Sequence, residues 1–208
     1  MKFILLVEGK TERDAAAAFL KRWLDPRLRQ PVGIQPVSFD GYANLAQKMA
    51  TKARMHLEGP VRNDIVAVIA LMDLYGPTFY PADKTTADDR FAWGKEHFER
   101  EVNLEKFRMF FAVHEFEAWL LSQPDIFPRD VNSALTNKVA HPERVNLVEP
   151  PAKLLDHVYK QQTRRGYKKT TYGKQLSAKL EPAIATAKCP YLKMMLSEML
   201  SLAKAAGL

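Results

Sequence analysis

Residues Ile65-Val66-Ala67-Val68-Ile69-Ala70-Leu71-Met72 form eight apolar positions in a row, the longest such run in the chain. A bilayer span needs about 18, so the run is far too short to cross a membrane. It is rich in β-branched residues and apolar on both faces, as a central strand of a parallel sheet is. Asp73-Leu74-Tyr75-Gly76-Pro77 stops it. A central parallel strand needs neighbours joined by crossover helices, and the flanking sequence supplies them. Lys2 to Val7, Ile34 to Phe39 (interrupted by Pro36) and Lys106 to Val113 read as strands. Between them, Ala15 to Trp23, Ala43 to Leu57 and Ala87 to Val102 read as helices, with Thr11 as the cap of the first. His114 to Leu121 starts a fourth helix, broken at Pro124. Alternating strand and helix predicts an α/β fold: a doubly wound, mainly parallel four-stranded sheet flanked by helices.

The pattern then changes. Pro124, Pro128, Pro142, Pro150 and Pro151 make residues 125–150 loops and short turns. Leu154 to Gln161, Tyr172 to Ala187 and Tyr191 to Ala205 read as helices. The expected organisation is an α/β domain over 1–124 with a basic, mostly helical extension over 125–208 packed on it. The single cysteine, Cys189, excludes an intramolecular disulfide framework and a Cys/His zinc knuckle, and fits a cytoplasmic setting. Met1 to Val7 is apolar enough to imitate a signal peptide. Glu8 follows at once and no small-residue cleavage site is seen, so it reads as the first strand, and no membrane association is expected.

The net charge of +7 is unevenly placed. Residues 1–152 carry a net of −1, whereas residues 153–175 carry seven bases against one acid. Lys153, Lys160, Arg164, Arg165, Lys168, Lys169 and Lys174, interleaved with Tyr159, Tyr167 and Tyr172, could hold phosphates and stack on bases. The bland alternative is a solvated loop between helices, suggested by Gly166 and Gly173.

Carboxylates follow the strong strands. Glu8 comes after the first, Asp73 after the third, and Glu115 after the fourth with one residue between. Function in open α/β sheets collects at the carboxyl ends of the strands. Three acids there suit a hard cation such as Mg²⁺ or Mn²⁺, which takes oxygen ligands. Each also has an ordinary reading: Glu8 as a helix cap, Asp73 in an Asx turn, Glu115 in a helix first turn. Glu12 could face the same rim. Glu115 and Glu117 are two apart, so only one is expected to face it well, and Glu115 is nearer the strand. His114 and Glu117 could pair. The Glu8-Gly9-Lys10-Thr11 turn lacks Walker A spacing, and no GxGxxG, HExxH or GxSxG motif occurs.

Val7-Glu8-Gly9-Lys10-Thr11-Glu12 resembles the VEGxTE signature of Toprim domains, especially those of the overcoming-lysogenization-defect (OLD) nucleases. Asp73-Leu74-Tyr75-Gly76 and His114-Glu115-Phe116-Glu117-Ala118-Trp119-Leu120-Leu121 are similar to motifs of a Toprim-related prokaryotic family. So are Ala152-Lys153-Leu154-Leu155, Gly166-Tyr167-Lys168-Lys169 and Cys189-Pro190. The resemblance implies a Toprim-like fold and a Mg²⁺- or Mn²⁺-dependent nuclease of a phage-defence (antiviral) system. It implies Glu8 as general acid/base and Asp73 as the first acid of a metal-binding DxD pair. Tyr75 stands where the second acid belongs, and Glu115 could replace it. Lys10 could stabilise developing charge. The implied partners are nucleic acid, DNA ahead of RNA, and an ABC-type ATPase subunit; a homo-oligomer is left open.

Two rival readings remain. One is a degenerate Toprim module that binds nucleic acid or the ATPase without cutting, favoured by Tyr75. The other is a nucleotide-binding flavodoxin-like domain, disfavoured because Glu8 and Glu12 would repel a phosphate.

Overall fold

The computed structural model describes residues 1–135, 139–144 and 149–208, with Lys10, Thr11, Glu12 and Thr170 described by their backbone alone. Four strands, β1 (Lys2–Val7), β2 (Gly33–Ser38), β3 (Ile65–Asp73) and β4 (Phe107–Ala112), form one sheet in the order β2-β1-β3-β4. All three pairings are parallel. The α/β architecture expected from the alternation is therefore present. The first eight residues of β3 are buried, as a run apolar on both faces requires, since helices cover both sides.

The crossover helices are α1 (Lys10–Leu24), α2 (Tyr42–Leu57) and α3 (Ala87–Val102). α2 and α3 lie together on one face of the sheet. α1 covers the other with the C-terminal helices, α7 (Lys169–Lys179), α8 (Pro182–Lys188) and α9 (Pro190–Ala205). α3 begins where the sequence indicates: Thr86 Oγ1 accepts the Asp89 N–H at 3.1 Å, and Asn103, left-handed at φ 48°, ends the helix.

Several boundaries differ from expectation. Thr11 does not cap α1; the helix begins at Lys10 behind Gly9, with no side-chain cap, because the chain turns directly off the strand end. The segment 125–150 contains a short helix, α5 (Arg129–Leu135), which buries Val131 and Leu135 one turn apart. α4 is confined to Glu117–Leu121, and α6 spans Pro151–Thr163. The helix expected over Tyr172 to Ala187 is two. Pro182 offers no N–H and biases Glu181 to an extended conformation, so α7 stops at Lys179 and α8 restarts on the proline.

Arg22 of α1 covers the last carbonyls of α7, donating to Ser177 O (2.6 Å) and Leu180 O (2.9 Å). This cation on a helix C-terminus ties the C-terminal helices to the α/β layer.

On the opposite face, Gly94 lets α3 approach β4. A Cβ there would lie 2.6 Å from Cζ of Phe111. Gly94→Ala is expected to cost about 1–3 kcal/mol by overpacking, although alanine is the better helix former. Urea unfolding measures it; an unchanged midpoint would show that the Phe111 ring moves aside freely.

Candidate functional site at the strand rim

The strand order fixes where a site can form. β1 leaves through α1 to β2 on one side, and β3 leaves through α3 to β4 on the other. The exits diverge between the carboxyl ends of β1 and β3, the switch point where open α/β sheets hold ligands. Glu8 and Asp73 are the residues at that point. Glu8 Oε1 accepts the Asp73 backbone N–H at 2.7 Å, so the side chain after β1 is pinned to the end of β3. Gly9, not Glu8, occupies the cap position of α1.

Asp73 reaches onward to the segment after β4. Its Oδ1 accepts the Phe116 N–H at 3.0 Å, and its Oδ2 lies 3.4 Å from Lys169 Nζ. The same ammonium lies 3.3 Å from Glu117 Oε2. That oxygen satisfies the ion-pair distance but makes no hydrogen bond among the described residues. Glu117 Oε1 accepts from the Tyr167 hydroxyl at 3.3 Å. One lysine at the start of α7 thus bridges two carboxylates from two strand ends.

Glu117 is fully buried. Burial pushes its carboxyl up to about 7; Lys169 pulls it down, and Asp73 and Glu115 push it further up. Glu115 points elsewhere: its Oε2 accepts the Ala152 N–H at 2.7 Å, in the first turn of α6. There a carboxylate meets the positive end of a helix. Burial again raises Glu115, and Asp73 adds to the rise. The expectation that only Glu115 faces the rim is therefore corrected. Both carboxylates feel Asp73, and Glu117 shares the Lys169 cation with it.

Among the described residues, no three His, Cys, Asp or Glu side chains converge on a single ion position. Glu8, Asp73 and Glu115 are neighbours, each held by a different backbone N–H. Tyr75 is half-buried; its N–H donates to His114 O at 2.8 Å, and the Lys153 ammonium lies 5.9 Å from its ring centre. His114 is buried, and burial, with nearby Arg90, lowers its imidazole below the ordinary range. Its Nδ1 has no partner among the described residues, so the expected pairing with Glu117 is not made. The side chains of Lys10 and Glu12 lie outside the described part of the structure.

The basic segment is not one loop. It covers most of α6, a short connection and the first half of α7. Gly166 permits the turn: a Cβ there would come within 2.7 Å of Asp156 Oδ1, the atom that accepts the Tyr167 N–H. Lys153, Lys160, Arg164, Arg165, Lys168 and Lys174 are exposed, while Lys169 turns inward to the carboxylates. Tyr159, Tyr167 and Tyr172 pack against one another with ring centres 5.2–6.1 Å apart, Tyr167 and Tyr172 stacked and the other two pairs tilted, so these rings contact each other within the protein.

Sequence reading placed Lys169 among the surface bases and missed that it and Tyr167 complete the rim. Lys169 lies 96 residues from Asp73. The one available signal was its position in the Gly166-Tyr167-Lys168-Lys169 motif.

No helix among the described residues is long and apolar enough to cross a membrane. No curated protein matches the chain. Two solved structures are similar along nearly their whole length. The C-terminal region of the Burkholderia pseudomallei OLD protein is 20% identical, with 99% of this chain and 98% of that one covered and a TM-score of 0.48. The C-terminal region of the Xanthomonas campestris pv. campestris OLD protein is 16% identical, with 95% and 96% covered and a TM-score of 0.39. Residues 7–200 match the family described as "Domain of unknown function (DUF4276)", and with nearly the whole chain inside that match, the chain belongs to this family.

Proposed function

We propose that the chain is a Mg²⁺- or Mn²⁺-dependent nuclease of the Toprim type that hydrolyses or nicks nucleic acid, acting in phage defence beside an ABC-type ATPase. The observation that carries this reading is the pinned pair at the switch point, Glu8 Oε1 on the Asp73 N–H at 2.7 Å. A proton-carrying carboxylate and a cation-facing carboxylate are held rigidly side by side.

The donor set fits a hard divalent cation. Asp73 Oδ2 and Glu117 Oε2 already share one positive charge, and Mg²⁺ is commonly held by one or two carboxylates completed by water and phosphate. Asp73 and Glu117 would hold the ion, with Glu8 and Glu115 beside them. When bound, the cation supplies neutralisation of phosphate charge and acidification of a water. Glu8 would take the proton from the attacking water and return it to the leaving oxygen as the P–O bond breaks. Lys10 stabilises the developing negative charge. The exposed Lys153, Lys160, Arg164, Arg165, Lys168 and Lys174 grip the backbone of the nucleic acid without reading bases.

A second reading has its own observation: Tyr75 offers no carboxylate at the second acid position. It makes the chain a binding module that does not cut. Supercoiled plasmid and single-stranded RNA, incubated with Mg²⁺ or Mn²⁺, separate the two. Metal-dependent cutting by the wild type and its loss in Asp73→Asn are expected. Silence even with the ATPase added, together with salt-sensitive binding, would replace the nuclease by the binding module.

A further inference from the structure

Resting on the cation site proposed above, we infer that Lys169 is that site's resident counter-ion: its ammonium lies against Asp73 and Glu117, the carboxylates that would hold a divalent ion, so metal entry and the docking of α7 compete.

Three observations support it. The carboxylates it bridges are removed from water: the Asp73 side chain is 16% exposed and that of Glu117 0%. A buried carboxylate beside a second, mostly buried one is costly without a positive charge, and here an amine from α7 supplies one. Secondly, Lys169 is the first residue of α7, where the helix dipole favours an acid and disfavours a lysine. The carboxylates, not the helix, hold the ammonium there. Thirdly, its contacts at 3.3 and 3.4 Å are longer than the 2.7–2.9 Å typical of charge-assisted bonds. Glu117 Oε2, fully buried, makes no hydrogen bond with it. Lys169 Nζ makes a long hydrogen bond to Asp73 Oδ2 at 3.4 Å and meets Glu117 Oε2 by charge alone, an arrangement a smaller, doubly charged ion can take over.

A divalent ion entering this position would push the Lys169 side chain out. α7 would then keep its anchor to Arg22 at the C-terminal end and lose its ionic anchor at the N-terminal end. Because α7 follows the exposed Arg164, Arg165 and Lys168, loading the site would also loosen the segment proposed to grip nucleic acid.

The test is Mn²⁺ binding to the full chain by titration calorimetry at fixed pH and ionic strength. Wild type, Lys169→Met and Lys169→Gln are compared; the glutamine variant keeps hydrogen-bond donors if the methionine variant fails to fold. Both variants are expected to bind Mn²⁺ about tenfold or more tightly than wild type, since a competing charge is gone. Amide exchange of wild-type residues 169–174 is expected to rise at saturating Mn²⁺, a readout that needs no variant. Equal or weaker Mn²⁺ affinity in the variants, or unchanged exchange, overturns the competition and leaves the cation site standing. No binding by any of the three proteins overturns the cation site and the inference together.

Discussion

Glu8→Gln is expected to lower metal-dependent cleavage by about 10²–10⁴-fold while leaving the fold intact. The two effects separate because Glu8 has two jobs. Its Oε1 accepts the Asp73 N–H, and a glutamine carbonyl oxygen can accept the same bond. The strand rim therefore stays assembled, and thermal stability should change by no more than about 1 kcal/mol. What glutamine cannot do is take a proton from water and return it. The measurement is single-turnover cleavage at saturating Mn²⁺, with Mn²⁺ affinity followed in parallel. A large rate loss with little change in affinity identifies a proton carrier. A loss of affinity matching the loss of rate would make Glu8 a metal ligand, and full activity would remove it from the chemistry.

How much of this rim was legible depended on sequence distance. β1 and β3 were readable because a strand buried on both faces must be apolar throughout, and the acid after such a run sits at the sheet edge. Glu8 and Asp73 therefore come from local pattern alone. Their coupling does not, because it runs from a side chain to a backbone N–H 65 residues away. Glu117 was underrated because spacing on a regular turn allows only one of two alternate acids to face a rim. Here Phe116 separates them at a helix start, and each carboxylate follows a different C-terminal helix, Glu115 to α6 and Glu117 to α7. Lys169 was hidden by its neighbours: within a basic cluster, the one lysine that pairs with buried acids carries no local mark. The break between α7 and α8, by contrast, was written in Pro182 and missed, since a proline inside a helical pattern marks a helix boundary.

The stability that Glu143 contributes is expected to fall as pH rises from about 4.5 to 7, and Glu143→Gln should remove that part of the pH dependence. Glu143 is buried and accepts the Tyr191 N–H at 2.8 Å and the Leu192 N–H at 3.2 Å, at the start of α9. Burial outweighs those two bonds and pushes its carboxyl up to about 7. The folded protein thus holds a proton that the unfolded chain, at its ordinary 4.5, has already released. A raised carboxyl contributes stability that is fully present below the unfolded value and lost as pH climbs through the folded one. From the two values this amounts to about 3 kcal/mol, gone above about pH 7. Glu117, at about 7, contributes a slope of the same sign, but it does so in both proteins and cancels from their difference. Urea unfolding of wild type and Glu143→Gln across pH 4.5–8 isolates the effect. The difference in stability should shift by about 3 kcal/mol in favour of the glutamine variant between the two ends. Parallel curves would mean that Glu143 is ionised throughout and that the amide groups of α9 hold it more firmly than burial opposes it.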